Sequence, residues 1–275
     1  MLSQVTESHR QSRDSARLGA RRGDRLAVPA FDPRVDPETG MLNPDGLRDY
    51  APRLADAVGA VLDDGAFPIV LGGDCSILLG NTLALRRRGR YGLLFLDGHA
   101  DFYQPEAEPT GEAASMELAL VTGRGPEIVT NLEGRRPLVR DEDAVVFGFR
   151  DTEHAAAEGS QPLAPTLRAM DLQTVRRRGV EQAMRDARAH LERKDGPAGF
   201  WIHLDVDVLD DAIMPAVDYR LPDGLSWDEL TAVLRVAVAS DRAVGLEITI
   251  FNPTLDADGR IALALVDALV AGLSP

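Results

Sequence analysis

The sequence predicts an α/β fold in which helices cover both faces of a parallel β-sheet. Short apolar runs recur along the chain, and they are almost continuously apolar, as in strands that are buried on both faces. Segments with apolar residues at helical spacing lie between these runs. Because strand and helix patterns alternate over 275 residues, we predict one doubly wound α/β domain.

Six apolar runs are the candidate strands, and an acidic or glycine-rich turn follows the typical run. They cover residues 26–31, 67–71, 92–96, 144–149, 199–204 and 244–251. Ligands bind beyond the carboxyl ends of the strands in sheets of this kind. We therefore expect a functional site in the turns that follow the runs.

Helical spacing of apolar residues predicts the elements between the strands. These segments are residues 47–62, 77–88, 113–121, 174–193 and 261–273. A further helix is predicted after Ser226, because Ser226 and Glu229 have the spacing of a capping box ahead of an apolar face.

Composition excludes several classes of protein. A hydrophobic content of 44% is enough for a substantial core, yet no apolar run approaches the roughly 18–20 residues that a membrane span needs. A net charge of −14 repels phosphate backbones, so neither nucleic acid nor membrane is an expected partner. The single cysteine cannot form an intrachain disulfide, which fits a cytoplasmic location.

The start of the chain differs from the rest. Residues 1–22 are polar and rich in arginine, and they lack the apolar stretch of a secretory signal. We interpret them as a solvated N-terminal leader, with an organelle-targeting role as the alternative, and residues 23–275 as a single domain.

Two acidic clusters follow predicted strands. Asp97, His99 and Asp101 alternate after the run at 92–96, and Asp205 and Asp207 follow the run at 199–204. Residues two apart in an extended chain point to one side, so the side chains of each cluster can converge. Carboxylates at close quarters repel one another unless a cation or protons neutralise them. We therefore predict a metal site here rather than ordinary turn acids.

The type of ligand narrows the choice of metal ion and of chemistry. Carboxylates together with imidazole suit a divalent ion such as Mn²⁺. The clusters offer more groups than one ion needs, whereas two ions can share bridging carboxylates and lower the pKa of a bridging water. Hydrolysis is the chemistry that such a site predicts.

The only cysteine, Cys75, follows another predicted strand, in the stretch LGGDCS at residues 71–76. A free cysteine is most often a small buried hydrophobe. Its thiolate can also bind a metal ion, although it is softer than imidazole and suits Mn²⁺ less well. The sequence leaves both interpretations open.

Five motifs, GGDCS, DGHAD, VFGFRD, HLDVDVLDD and GLEITIFNP, resemble in order and spacing those of the ureohydrolase family, which includes arginases, agmatinases and formiminoglutamases. The similarity runs from about residue 25 to the C-terminus. It implies a three-layer αβα sandwich around a mainly parallel sheet of about eight strands, two Mn²⁺ ions per chain, and a homo-oligomer that is a trimer or a hexamer.

The resemblance also implies roles for the residues of these motifs. Cys75, Asp97, Asp101 and Asp205 resemble ligands of one manganese ion, and Asp97, His99, Asp205 and Asp207 resemble ligands of the second. Asp101 would also accept a hydrogen bond from the bridging hydroxide, which makes it the candidate catalytic residue. Glu153 falls near a position that binds the substrate in arginases, and an ordinary loop acid is the alternative.

The chain departs from the family pattern at several positions that bear on the metal site and the substrate. Cys75 replaces the histidine of GGDH, as in a branch that includes hydrolases of N-hydroxyarginine, and Ala114 or Ser115 replaces a histidine that assists proton transfer. Ile250 stands where the family has a glutamate that pairs with the guanidinium, while Glu247 is interpreted as a structural acid. Because a carboxylate–guanidinium pair discriminates strongly between substrates, Ile250 makes plain arginase activity unfavourable.

These observations together predict a metal-dependent hydrolase that cleaves a C–N bond in a small guanidino or modified guanidino compound by way of a metal-bridging hydroxide. One alternative is a catalytically silent relative that binds a ligand or serves in an assembly, and another is an amide hydrolase on the same fold. A nucleotide-binding protein is disfavoured, because GGDCS lacks the lysine that follows a phosphate-binding glycine loop.

Overall fold

A computed structural model describes residues 21–274, and its centre is a sheet of parallel strands. The strands are β1 (Ile69–Leu71), β2 (Gly92–Leu96), β3 (Ala144–Phe147), β4 (Arg168–Met170), β5 (Phe200–Asp205) and β6 (Ala243–Thr249). They lie in the order β1-β6-β5-β2-β3-β4, and every pairing is parallel. All their carboxyl ends therefore meet at one edge.

The α-helices connect these strands and cover the sheet. They are α1 (Pro44–Asp63), α2 (Leu78–Arg88), α3 (Glu117–Val121), α4 (Glu127–Thr130), α5 (Thr152–Ala157), α6 (Leu172–Arg178), α7 (Val180–Leu191), α8 (Trp227–Val238) and α9 (Arg260–Leu273). None of the described helices is both long enough and apolar enough to span a membrane.

The sheet separates two hydrophobic cores, because successive strand residues point to opposite faces. On β2, Leu93 and Phe95 pack with α1, α2 and α3, whereas Leu94 and Leu96 pack with helices α6 to α9. The helices of each layer also pack on one another, α1 on α2 and α8 on both α7 and α9. This three-layer αβα arrangement confirms the predicted fold class.

The predicted strand at residues 26–31 is wrong. This segment has no regular secondary structure, and Val28 and Phe31 are 57% and 50% exposed. Pro29 lies in the middle of the run and cannot donate to a strand ladder. The short edge strand β4 has only Met170 buried, so its sequence lacked an apolar run to predict it. The described residues thus contain six strands rather than about eight.

The helix predictions for residues 47–62, 77–88 and 261–273 are confirmed by α1, α2 and α9. The predicted helix at 174–193 is instead two helices, because Gly179 has a φ of 81° and separates α6 from α7. At 113–121 only α3 is α-helical, and a 3₁₀ turn (Ala113–Ser115) precedes it.

The capping box at the start of α8 is confirmed. The Ser226 hydroxyl accepts from the Glu229 N–H at 3.2 Å, and a Glu229 carboxylate oxygen accepts from the Ser226 N–H at 2.8 Å. All but the last two residues of the predicted leader, 1–22, lie outside the described part of the chain.

Candidate metal centre

The candidate site lies at the carboxyl edge of four neighbouring strands. Cys75 follows β1, Asp97 follows β2, Asp205 ends β5 and Thr249 ends β6. These strands are adjacent in the order β1-β6-β5-β2. Residues far apart in sequence are therefore brought together by the topology of the sheet.

Alternation along the strands turns the polar side chains toward a single face. Phe95 and Trp201 belong to the core beneath α1–α3. Asp97 lies two residues beyond Phe95, and His203 and Asp205 lie two and four beyond Trp201, so all three continue on that face. The site is therefore built on the side of the sheet that α2 and α3 cover.

Strand register sets the neighbours of His203. Phe95 is its register partner on β2 and Glu247 is its partner on β6. The Phe95 and His203 rings stack with centroids 4.4 Å apart. His203 Nδ1 lies 2.7 Å from Glu247 Oε1, and Asn81 on α2 donates to the other oxygen of that carboxylate. The imidazole is thereby held in one orientation.

One group of potential ligands consists of Asp97, His99 and Asp207. His99 Nδ1 lies 3.0 Å from Asp207 Oδ2 and 3.7 Å from Asp97 Oδ1. Backbone N–H groups fix both acids, since the His99 N–H donates to Asp97 and the Gly98 N–H donates to Asp207. Burial lowers the pKa of His99, but Asp207 and Asp97 outweigh burial and raise that pKa well above its ordinary value.

A second group surrounds Cys75. Its Sγ lies 2.9 Å from Asp205 Oδ2 and 3.1 Å from Thr249 Oγ1. The side chain is only 1% exposed, and burial followed by the charge of Asp205 raises the pKa of the thiol well above its usual range. Without a cation nearby, Cys75 therefore stays a neutral thiol.

A third group contains Asp97, Glu117 and His203. His203 Nε2 lies 3.7 Å from Asp97 Oδ2 and 4.0 Å from Glu117 Oε1. Burial lowers the pKa of His203, but its contacts with Asp97 and Glu247 outweigh burial and raise the pKa to about 10. The ring therefore takes a proton wherever no metal ion competes for Nε2.

Asp101 and Glu117 are neighbouring buried carboxyls beside this group. Burial and the negative charge of the surrounding acids raise the pKa of both. Asp101 has a φ of 41°, a left-handed conformation that aspartate tolerates better than most residues. This turn places the Asp101 carboxyl at the cluster rather than letting the strand direction carry it onward.

The VFGFRD motif holds the loops around the cluster. Arg150 donates to the backbone carbonyls of Asp207, Leu209, Leu221 and Pro222 at 2.8–3.1 Å. Asp151 accepts from the Ala100 N–H at 3.2 Å. These contacts fix the segment that carries Asp207 and the turn that carries His99, so this motif supports the site through the backbone.

The cluster fits a divalent cation by two independent criteria. Among the described residues, Asp97 Oδ2, both carboxylate oxygens of Glu117 and Nε2 of His203 are buried with no partner in hydrogen-bonding geometry. Buried polar atoms without partners are rare because they are costly. The donors are carboxylates and imidazoles with one thiol, and such a set binds divalent ions. A cation would supply the missing partner.

The structure brings most of the predicted site residues together. Cys75, Asp97, His99, Asp101, Asp205 and Asp207 all lie within the cluster. Glu153 is exposed on α5 and belongs to none of the ligand groups, so its role in substrate binding stays a prediction.

Sequence reasoning missed Glu117 and His203. Each has apolar residues on both sides, in MELALV (116–121) and FWIHL (200–204). Such residues are rarely buried without a function or a partner. That signal was present in the sequence but needed the fold to show that the two side chains meet.

Comparison with known proteins gives a consistent result. The model of the arginase family matches residues 36–273. The arginase of Brevibacillus brevis is 30% identical over 221 residues, which cover 79% of this chain and 73% of that protein. The crystal structure of Bacillus cereus arginase matches with a TM-score of 0.75 at 26% identity, and the match covers 86% of this chain and 81% of that arginase. The crystal structure of Bacillus subtilis arginase matches with a TM-score of 0.80 at 24% identity, and the match covers 97% of this chain and 90% of that arginase.

Proposed function

The chain belongs to the arginase family, and from this premise we propose that it is a metal-dependent hydrolase that cleaves a C–N bond in a small guanidino or modified guanidino compound. Relatives that are 30% identical and less carry the name arginase, which supports a hydrolase of this general kind. The observation that carries the proposal is the buried cluster of acids, with oxygens that lack any other partner, at the carboxyl edge of the sheet.

We propose that the metal is Mn²⁺, with two ions per chain. Cys75, Asp97, Asp101 and Asp205 would hold one ion, and Asp97, His99, Asp205 and Asp207 would hold the other. When bound, such ions lower the pKa of a water molecule and stabilise negative charge that develops on the substrate.

Asp101 is the proposed catalytic residue. Burial and the charges of Glu117 and Asp97 raise the pKa of its carboxyl, which makes its carboxylate a better proton acceptor than that of an exposed aspartate. A carboxylate oxygen of Asp101 would take a proton from the attacking water and pass it to the leaving nitrogen. No histidine is present at Ala114 or Ser115 to share that task.

Ile250 supports a substrate other than free arginine. Its half-buried side chain packs against the core beneath α6–α9, and its backbone N–H donates to the Gly73 carbonyl at 2.9 Å. This position therefore offers no carboxylate for a guanidinium. A modified guanidino group that carries less positive charge avoids the loss of several kcal/mol that an unpaired, desolvated cation would suffer.

The test is metal analysis combined with a product screen. Metal-stripped protein is loaded with Mn²⁺, and urea, hydroxyurea, ammonia and free amine are measured with guanidino compounds and with amides. Turnover of a guanidino compound that disappears in the metal-stripped protein supports the proposal. A fully loaded protein that turns over none of them favours the catalytically silent alternative, and turnover of amides alone favours the amide hydrolase. The trimeric or hexameric assembly and the cytoplasmic location stay predictions.

A further inference from the structure

Glu117 and His203 stand outside the ligand sets that the sequence motifs imply, yet their polar atoms lie among those ligands. Both side chains are completely buried. Within residues 21–274, neither Glu117 oxygen nor His203 Nε2 has a partner in hydrogen-bonding geometry. A carboxyl group and an imidazole thus direct unpartnered atoms toward each other, with His203 Nε2 4.0 Å from Glu117 Oε1.

We propose that Glu117 and His203 are direct ligands of the first metal ion, so that the imidazole absent at position 75 is supplied from β5. The inference rests on the proposed function, because it concerns the same metal centre. The ligand atoms of Asp97, Glu117 and His203 all lie within 4.8 Å of one another, and so do those of Cys75, His203 and Asp205. His203 is the residue common to both groups and therefore lies between the two sides of one site.

The surroundings of His203 are those of a metal-binding histidine. Such a histidine almost always donates its second ring N–H to a carboxylate or a carbonyl, which fixes the tautomer and orients the free nitrogen. Here Nδ1 contacts Glu247 at 2.7 Å, Asn81 holds Glu247 in place, and Phe95 stacks on the ring. This support leaves Nε2 directed toward Asp97 and Glu117.

The alternative, a buried cluster without metal, needs protons both on His203 and on the surrounding carboxyls to balance the charges. A protonated His203 carries one positive charge, whereas the carboxyls of Asp97, Glu117 and Glu247 all surround its ring. It would also leave both Glu117 oxygens without a hydrogen bond. A divalent ion between Asp97, Glu117 and neutral His203 supplies positive charge and the missing partner together.

The experiment measures binding of Mn²⁺ alone to the metal-stripped full-length chain by titration calorimetry and by metal analysis. We expect two ions per chain in the wild type. Glu117→Gln and His203→Gln should each lower the affinity for one of the two ions by more than about 100-fold. Loss of a residue that only hydrogen-bonds to a ligand lowers metal affinity roughly 10–100-fold, and loss of the ligand itself should cost more. Glu181→Gln and His154→Gln are matched controls with exposed side chains and should bind as the wild type does.

A second measurement needs no variant and stands if either substitution prevents folding, which circular dichroism would reveal. X-ray absorption of the wild type loaded with two Mn²⁺ counts imidazole ligands through their multiple scattering. An average of one imidazole per ion means that both His99 and His203 bind and supports the proposal. An average of one-half is the value that the motif-implied ligand sets give, with His99 as their only imidazole, and it overturns the proposal.

The outcomes separate this inference from the proposed function. If folded Glu117→Gln and His203→Gln bind two Mn²⁺ with wild-type affinity, the inference fails while a metal-dependent hydrolase remains supported. If the wild type takes up no Mn²⁺, the inference and the proposed function fail together. Loss of one ion in both variants with wild-type behaviour in both controls supports the inference.

Discussion

The Nδ1 atom of His203 lies 2.7 Å from Oε1 of Glu247, and both side chains are fully buried between the sheet and α2. The two residues are register partners on neighbouring parallel strands, so the contact follows from the pairing of β5 with β6. Because both side chains are buried, this contact compensates part of the cost of removing each of them from water.

Loss of Glu247 should therefore destabilise the metal-free protein strongly. We expect Glu247→Ala to lower the free energy of unfolding by about 3–5 kcal/mol, since one partner of a buried pair is left uncompensated. Urea denaturation of Glu247→Ala, His203→Ala and the double variant measures this. The double variant should be less destabilised than the sum of the single variants, and strict additivity would contradict a direct interaction.

A second prediction concerns the packing of Gly245 under Trp201. A Cβ built on Gly245 would overlap the indole ring, and the two residues are register partners on β6 and β5. Gly245→Ala should lower the free energy of unfolding by about 3 kcal/mol, because an overpacked core must displace a fully buried ring. Gly23→Ala has open space around it and should change the stability by less than about 0.5 kcal/mol. Equal stability of the two variants would contradict this packing.

A third prediction is a pH dependence at the Arg124–Asp141 ion pair, which belongs to none of the candidate ligand groups. Two guanidinium nitrogens of Arg124 donate to the Asp141 carboxylate at 2.8 and 2.7 Å, and this bidentate pair lowers the pKa of Asp141. Because the pKa of Asp141 is lower in the folded than in the unfolded state, the pair stabilises the fold at any pH above the unfolded pKa of about 3.9. This stabilisation is lost as the pH falls through the folded pKa.

Asp141→Asn should thus cost about 1 kcal/mol at pH 7 and progressively less below about pH 4. Chemical denaturation of variant and wild type at each pH gives the difference. Asp45→Asn removes an exposed ion pair with Arg48 and is the matched control, with little expected effect at any pH. A difference for Asp141→Asn that grows toward acid pH would contradict the assigned sign.

A fourth prediction follows from the burial of Cys75. The thiolate is the reactive form, and both burial and Asp205 raise the pKa of this thiol. Iodoacetamide at pH 8 should therefore modify native metal-free protein on the order of 100-fold more slowly than urea-unfolded protein, as intact mass will show. In Ala157→Cys, whose new thiol lies on the exposed end of α5, one modification should appear rapidly and the second slowly. Rapid modification of the native wild type would show that Cys75 is accessible.

The ends of the buried strands could be predicted from sequence because their signals are local. Asp97 and Asp205 each follow a largely apolar run, and a parallel sheet necessarily brings the ends of such runs to one edge. Residues 26–31 have the apolar content of a strand, but Pro29 breaks the run and cannot donate to a strand ladder. Gly179 likewise ended a helix within an otherwise continuous helical pattern.

The remaining part of the site depends on tertiary structure. Glu117 lies on a short helix and His203 inside a strand, and nothing in either local pattern says that they face one another. Their meeting depends on the packing of α3 over β5 and on the register of β5 with β6. A polar residue inside an apolar stretch indicates where to look, and only the assembled fold identifies its partner.

The last prediction concerns Asp101, for which the chain offers an isosteric test. Asp101→Asn keeps the size of the side chain and tolerates the φ of 41° equally well, but its amide cannot accept and release a proton. On the guanidino compound that the wild type turns over, we expect kcat to fall by about 10²–10⁴, because general acid–base catalysis is lost. Asp223→Asn is the matched control, since Asp223 is exposed and also has a positive φ, of 63°. Circular dichroism and metal analysis of both variants separate a loss of proton transfer from a loss of fold or of the ion that Asp101 is proposed to hold. Wild-type kcat in Asp101→Asn would assign proton transfer to another group in the cluster.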